Sequence, residues 1–489
     1  MQDEIPLKKS YILSALMMTM MLAAMDTTIV STVIPQIVMD LGGFKRFSWV
    51  FSIYLLSQTV TIPLYGKLAD IFGRKKILLT GVTIFLIGSA ASAASWNIIT
   101  LIIFRGIQGL GAGSIMASVN TIAGDIYTVE ERAKIQGLLS SIWGISAIIG
   151  PALGGALAEY INWRWIFIIN LPIGIMSMVF LIVFFKEKLE PRKPEIDFKG
   201  SFLILVTIGL FIIYLLEGGQ AWPWLSVQSL SLLAAIVVLS LVTLKIENKA
   251  KEAILPAWAW KNRTLSFTNL AMIFMGIVMM GPETFLPTFS QVALGLGIIA
   301  SGFVLASESI GWPTASALSG KLYLKIGFRN TSLIGTVFII AACLGFLFIP
   351  WPQPVYLVVM DQILLGAGFG LLSTPSLVGI QSMVGWDQRG VVTGLNIFCR
   401  NLGQSLGAAI FGAVFNNSFE MQMKQAPPEF AERAVNILNA IKGDGITEAK
   451  KLFLEKAFSN STGYIYLVMT FIAVLTFLAI YKVPSKKNS

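Results

Sequence analysis

The sequence is built from blocks of about twenty apolar residues separated by short polar breaks, and no other feature limits its folding choices so strongly. A helix rises about 1.5 Å per residue, so a block of about twenty residues crosses the roughly 30 Å hydrocarbon layer of a bilayer. In lipid the backbone must satisfy its own hydrogen bonds, and continuous apolar runs do this as helices. About fourteen such segments are predicted, near 11–34, 49–69, 77–95, 98–119, 134–157, 165–185, 200–217, 228–244, 265–286, 299–319, 331–349, 355–378, 391–415 and 462–481. Charged residues make up 13% of the 489, about half the share of an ordinary soluble chain, which excludes a soluble enzyme and a disordered protein. The expected fold class is an all-α polytopic membrane protein.

The net charge of +10 would raise the question of nucleic acid in a soluble domain. Its location answers differently. With the N-terminus inside, 25 of the 36 Lys and Arg fall on the inner side and 9 outside, six of those nine in one long segment where the bias rule is weak. Both termini are therefore expected in the cytoplasm, the protein in the cell membrane, and no nucleic acid among its partners. No signal peptide is expected, because the first apolar stretch is long, carries Asp26 and lacks a small-residue cleavage site. The chain has no histidine, so the usual metal ligand and neutral-pH titrating group is missing. Any proton handling falls to carboxylates, and neither a metal nor a bound cofactor is expected. Cys343 and Cys399 lie inside apolar segments without metal or redox spacing.

The chain repeats itself. Gly66-Lys67-Leu68 recurs as Gly320-Lys321-Leu322, Gly111-Ala112-Gly113 as Gly366-Ala367-Gly368, and Gly137, Gly150 and Gly155 as Gly394, Gly407 and Gly412, at offsets of about 255 residues. The constant offset predicts two parallel six-helix halves, a transporter plan. The expected division is 1–186, a linker with two inserted helices over 187–263, and 264–489. An outer segment near 416–460, with Pro427-Pro428 and Gly443 to Gly445 as breaks, reads as a helical hairpin or a solvated spacer.

Two strings carry local chemistry. In Gly66-Lys67-Leu68-Ala69-Asp70-Ile71-Phe72-Gly73-Arg74-Lys75-Lys76 the glycines permit a tight turn and close helix approach, and Asp70 is placed to pair with a base or accept amide N–H groups from a helix N-terminus. Gly66, Asp70, Gly73 and Arg74 form a candidate inner latch. Around Pro151, the proline removes one helix hydrogen bond while Gly144, Gly150, Gly154 and Gly155 remove bulk, which predicts a bent, closely packed gating helix.

The first string resembles the loop signature of the major facilitator superfamily. Further resemblances follow: Leu101 to Gly109, with Arg105, to its fourth-helix basic motif; Gly144 with Gly150-Pro151-Ala152-Leu153-Gly154-Gly155 to its antiporter motif; and Met25 to Val30 with Pro35 to the first-helix motif of drug:proton antiporters. Trp163-Arg164-Trp165-Ile166-Phe167 with Asn170-Leu171-Pro172 is similar to the fourteen-helix, QacA-like branch. The resemblance implies a major facilitator fold and proton-coupled export of drugs. In the second half Leu324 replaces the acid corresponding to Asp70 and Ala408 replaces Pro151, so latch and kink are expected in the first half only.

Five acids fall within predicted spans, Asp26, Glu217, Glu283, Glu308 and Asp361, against two bases, Arg105 and Arg400. A charge at mid-membrane costs about 2.5–3.5 kcal/mol even on the lenient insertion scale, so each marks a candidate proton or cation site. Asp26 and Arg105 both lie roughly 10–12 Å below the outer face and are expected to be neighbours. Separating them would change the carboxylate's proton affinity, the requirement for proton coupling. Asp26 tuned by Arg105 ranks first and Glu308 second, with Glu217, Glu283 and Asp361 as accessories. Excess acids favour protons and lipophilic cationic small molecules as partners, and the 19 Met and 32 Phe offer adaptable, cation-attracting surface. The protein is expected to work as a monomer. The alternatives are export of one specific compound, such as a metal–tetracycline complex or a lipid-linked molecule, or a membrane-embedded enzyme. The last would need a catalytic set in an aqueous loop, and no predicted loop carries one.

Overall fold

The computed structural model describes residues 4–42, 48–187, 198–218, 222–247, 256–424 and 448–484. Each of the predicted apolar segments is helical, two of them, 165–185 and 299–319, being divided over a pair of consecutive helices. In chain order these are α1 (Glu4–Leu41), α2 (Ser48–Phe72), α3 (Arg74–Ala93), α4 (Ile98–Ile126), α5 (Val129–Tyr160), α6 (Trp165–Ile168), α7 (Asn170–Phe184), α8 (Phe198–Glu217) and α9 (Val227–Glu247). Then come α10 (Ala257–Lys261), α11 (Arg263–Val292), α12 (Ile298–Ala306), α13 (Glu308–Ile326), α14 (Phe328–Leu347), α15 (Val355–Ser382), α16 (Arg389–Lys424) and α17 (Glu448–Tyr481).

Ten of these, counting α6 and α7 as one stretch, are long and apolar enough to cross a membrane. Outside that set stand α2, α8, the α12–α13 pair and α16. Charged Glu308, Lys321 and Lys325 make α13 more polar, and the chain breaks between α12 and α13 at Ser307. Of the outer segment expected near 416–460, the residues up to Lys424 continue α16 and those from Glu448 begin α17, while 425–447, with Pro427-Pro428, lie outside the described residues, as does most of the stretch between α7 and α8.

Local chemistry explains where helices begin. Asn97 and Thr100 form a reciprocal capping box on α4, and Thr128 and Glu131 do the same on α5, satisfying amides that the first turn leaves unpaired. Gly73 turns the chain between α2 and α3 at φ +93°, and Gly327 does so between α13 and α14 at φ +85°. Both are backbone conformations that L side chains avoid, and they stand 254 residues apart, in step with the sequence repeat.

The helix pairings repeat as well. In the first part α1 packs on α5 and α7, α2 on α4, and α3 on α4 and α7. In the second, α11 packs on α16 and α17, α13 on α15, and α14 on α15 and α17. The two parts meet reciprocally, α2 against α16 and α5 against α13, while α8 and α9 pair with each other and α8 leans on α2 and α16. Small residues set the closest approaches: a Cβ at Gly88 would lie 2.5 Å from Gln108 N, and one at Gly335 only 2.7 Å from Leu372 N. The start of α1, where Lys9 accepts from Tyr127, and the end of α17, where Tyr481 accepts from Arg329, lie at one end of the bundle, called the terminal face below; the other is the far face.

These approaches predict opposite outcomes for two glycines. Gly335→Val forces backbone apart between α14 and α15 and is expected to destabilise by about 1–3 kcal/mol. Gly209→Ala on α8 meets no atom within 4 Å and is expected to stabilise by about 0.5–1 kcal/mol through helix propensity. Thermal melts of the purified variants in detergent check both.

Candidate functional site

At the terminal face, α2 ends against the first turn of α16. Asp70 Oδ1 accepts from Gly390 N and Oδ2 from Val391 N, both at 2.9 Å, so one carboxylate caps the two leading amides of the opposing helix. Gly66, Gly390 and Gly394 make room: a Cβ at Gly66 would lie 3.3 Å from the Gly394 Cα. Arg74, buried, donates to Asp70 at 2.7 Å, pairs with Asp125 Oδ2 at 3.0 Å, donates to the Trp386 carbonyl, and lies 3.4 Å from the centre of the Trp386 ring. Arg389 reaches Asp125 Oδ1 at 2.9 Å. Glu187 accepts from the backbone N–H of Arg74 at 2.9 Å and of Lys75 at 3.0 Å, holding the start of α3.

The reciprocal seam is weaker. Tyr323 of α13 donates its hydroxyl to the Val129 carbonyl at the start of α5, and Gln381 donates to the Asn120 carbonyl at 3.2 Å. Leu324, at the position matching Asp70, is 53% exposed and takes no part. Further toward the membrane centre Gly144 approaches Ser309, where a Cβ would come within 2.6 Å of that side chain's Cβ. Gly150 packs on Thr28, whereas a Cβ at Gly155 meets nothing within 4 Å. Gly154 is buried, and Pro151 lies within α5, its side chain outside the described residues. The described hydrogen bonds between the two parts thus gather at the terminal face.

Asp26 and Arg105 do meet, inside the first part. Asp26 Oδ2 accepts from Arg105 Nη1, Oδ1 accepts from Gln108 Nε2 at 2.7 Å, and Arg105 Nη1 also donates to Gln108 Oε1 at 2.7 Å. Arg105 Nε reaches the Val50 carbonyl at 3.3 Å, and the guanidinium stands 4.2 Å from the Tyr54 ring centre. Asp26 is 2% exposed and Arg105 not at all. The charges cancel in a closed cluster, and in this conformation Asp26 offers no open carboxylate.

The second part differs. Glu283 on α11 is exposed, Glu308 at the head of α13 is buried, and Asp361 on α15 is buried. Glu283 lies within electrostatic reach of both Glu308 and Arg400, and among the described residues none of these three forms a direct ion pair. Glu308 sits at the α12–α13 break, its Cγ 3.1 Å from where a Gly366 Cβ would be. Glu217 ends α8, half-buried and apart from this group in sequence and helix. Glu283 and Glu308 therefore share one base, Arg400, and Asp361 has none among the described residues, where the first part holds a cancelled pair. Among the described residues no His, Cys, Asp and Glu cluster is suited to a metal ion.

At the far face Trp163 and Arg164 clasp the end of α1. Asp40 Oδ2 accepts from Arg164 at 2.7 Å and from Trp163 Nε1 at 3.0 Å, and the Arg164 bond, followed by that of Trp163, holds the Asp40 carboxyl below the usual carboxylate range.

A sequence profile described as the Major Facilitator Superfamily matches residues 16–408. The chain belongs to the Major Facilitator Superfamily. It is 35% identical over 422 residues to "Multidrug resistance protein 3" of Bacillus subtilis (strain 168), covering 85% of this chain and 81% of that one. It is 34% identical over 409 residues to "Multidrug transporter protein MdtP" of the same organism, covering 84% and 76%. A fungal relative, "Efflux pump FUS6" of Gibberella moniliformis, is 31% identical over 456 residues, covering 91% and 80%. Among solved structures, the human organic anion transporter MFSD10 (TETRAN) superposes with a TM-score of 0.65 at 14% identity, covering 96% of this chain and 99% of that one. A bacterial homologue of the iron transporter ferroportin in an outward-facing state gives 0.65 at 13%, with the same coverage. At such identities the shared property is the fold. Family membership, with the apolar helices, marks a multi-pass membrane protein and points to a transporter.

Several site residues escaped the sequence reading. Asp125, Trp386 and Arg389 complete the latch but come from helix ends some 260–320 residues apart. Gln108 was nearer to hand, one turn after Arg105 on the same face.

Two outcomes follow from this geometry. Asp70→Asn removes the charged cap and is expected to raise labelling of a cysteine placed at Asn120 at least tenfold from the terminal face; Cys343 and Cys399 are buried and stay silent. For the clasp, the lowered Asp40 pKa means its stabilisation is present above the unfolded-state value and is lost as pH falls through the folded one. The difference in melting temperature between wild type and Asp40→Asn is therefore expected at neutral pH and should vanish at strongly acid pH.

Proposed function

We propose that the protein is a proton-coupled antiporter that exports lipophilic, mainly cationic drugs and antiseptics by alternating access. In this reading it crosses the cell membrane fourteen times, keeps both termini in the cytoplasm and works as a monomer. One observation carries it: a seam closed by Asp70 at the terminal face, with uncancelled acids behind it in the second part. The similarity to proteins named as multidrug transporters supports drugs as cargo.

The division of labour follows from charge. Glu283 and Glu308, sharing only Arg400, are the primary proton and cation sites, because each can change charge without breaking a direct ion pair. Asp26 is held by Arg105 and Gln108 and becomes available only when α1 and α4 move apart; truncating Arg105 alone would strand its charge at about 3–5 kcal/mol. Gly144 and Gly150 let α5 lie close to α13 and α1 while the parts rock. Breaking the Asp70 cap and the Arg389–Asp125 pair opens the cytoplasmic side; re-forming them returns the site outward. One proton moving down 100 mV contributes about 2.3 kcal/mol, roughly a fifty-fold gradient of neutral cargo.

Ethidium flux in inverted vesicles, with and without an imposed pH gradient, tests the reading. Uptake should follow an acid interior and collapse with a protonophore. Glu308→Gln should lower the gradient-driven rate at least tenfold, and Asp26→Asn should do the same while also lowering the melting temperature, because buried Arg105 loses its carboxylate. Flux indifferent to the pH gradient would sink the proton-coupled reading.

A further inference from the structure

A second polar cluster lies away from the seam, enclosed by α14, α15 and α17. Asp361 Oδ2 accepts from Gln362 Nε2 at 3.1 Å, and the same nitrogen donates to the Tyr466 hydroxyl at 3.0 Å. Gln362 is fully buried, yet its Oε1 has no hydrogen-bond partner. Cys343 on α14 adjoins Asp361, and Glu308 on α13 lies within electrostatic reach of Tyr466. Among the described residues Asp361 has no Lys or Arg partner. A Cβ at Gly345 would lie 3.4 Å from Asp361 Oδ1, so the carboxyl occupies space left by a missing side chain.

The cluster sits one aromatic layer below open space. The Tyr466 ring stacks on Phe346 with centroids 3.7 Å apart and planes 7° from parallel. Phe346 in turn lines a vestibule of about 680 Å³ at the far face, among Trp351, Gln353, Gln422, Lys456 and Asn460. The vestibule has a mixed lining in which Gln353, Gln422, Lys456, Ser459 and Asn460 offer water its hydrogen-bond partners, and it is roomy enough to hold water.

We propose that Asp361 is a proton-binding site loaded from the far face through this vestibule, with Gln362 and Tyr466 as its gate and Glu308 as the next acceptor toward the seam. The inference rests on the proton-coupled reading and adds a route and a residue to it. A hydronium ion from the vestibule gives its proton to the Asp361 carboxylate and leaves as water. The neutral acid later yields that proton to the Glu308 carboxylate, and no other bond changes. Gln362 serves both charge states. With Asp361 ionised, its amide nitrogen donates, as observed. With Asp361 protonated, a half-turn of the amide presents Oε1 to the new O–H, and Tyr466 changes from acceptor to donor. The unpaired Oε1 is the second half of that switch. Lys456 at the mouth is the charged group facing the route, and it slows cation entry without occupying the site.

Infrared difference spectra of the full-length protein in nanodiscs, titrated with pH, read the site without any transport step. A carbonyl stretch of a protonated acid is expected in wild type and in Glu308→Gln that Asp361→Asn lacks, the bands of the other buried acids remaining in that variant. An identical titration in Asp361→Asn would overturn the site, whereas wild-type ethidium flux indifferent to the pH gradient, with the band still lost in Asp361→Asn, would overturn the coupling and leave the site standing. Tyr466→Phe keeps the ring stack and should shift the midpoint of that band; an unmoved midpoint removes Tyr466 from the gate. Access is tested with Gly463→Phe, because Gly463 lines the vestibule and a Cβ there meets nothing within 4 Å. After a pH jump this variant should equilibrate at least fivefold more slowly than wild type, while Gly412→Phe, equally uncrowded and outside the vestibule, should not. Equal rates for Gly463→Phe and wild type would overturn the route.

Discussion

A carboxylate set against the positive end of a helix organises this molecule. The first amides of α16 have no partner within their own helix, and Asp70 supplies one from a helix more than three hundred residues away. The bond is charge-assisted, directional and small in area, so it closes the terminal face firmly without burying enough apolar surface to make the closure permanent. Arg74 adds to it from the same loop, holding Asp70, Asp125 and the Trp386 ring at once. A closure made of a few ionic bonds can be undone by a small change in the charges behind it, whereas one made of packed side chains cannot.

The two parts share pairings but not chemistry. The α2–α16 seam is latched by a carboxylate, while its counterpart at α13–α5 relies on a neutral Tyr323 hydroxyl, with Leu324 standing exposed where the acid would be. Inside the membrane the asymmetry runs the other way. The first part cancels its charge in the Asp26–Arg105–Gln108 cluster, and the second leaves Glu283 and Glu308 sharing Arg400 and Asp361 with no base among the described residues. One part holds the structural pair and the latch; the other holds the groups whose charge is free to vary. The vestibule, Tyr466 and Asp361 belong to that second set, which places a route to solvent beside the acids that need one.

Much of this was legible in the residues. The helix positions follow from apolar blocks and polar breaks, and the Asp26–Arg105 contact follows from equal depth in the bilayer. Depth does not say whether a pair is open or sealed. Gln108 and Val50 close this one, so Asp26, the first choice on sequence grounds, offers no open carboxylate in this conformation. Glu217 shows the converse, an intramembrane acid by hydropathy that lies at a helix end away from the others.

The amino-acid order by itself set the helices, their repeat at an offset of about 255 residues, the glycine turns at Gly73 and Gly327 and the acids within apolar surroundings, because each of these is a local property of the chain. Only the tertiary structure decided which charges cancel, that Asp125, Trp386 and Arg389 complete the latch, and that Gln362 and Tyr466 bracket Asp361 beneath the vestibule. Those outcomes depend on distances of a few ångströms between residues far apart in sequence, which neither periodicity nor composition encodes.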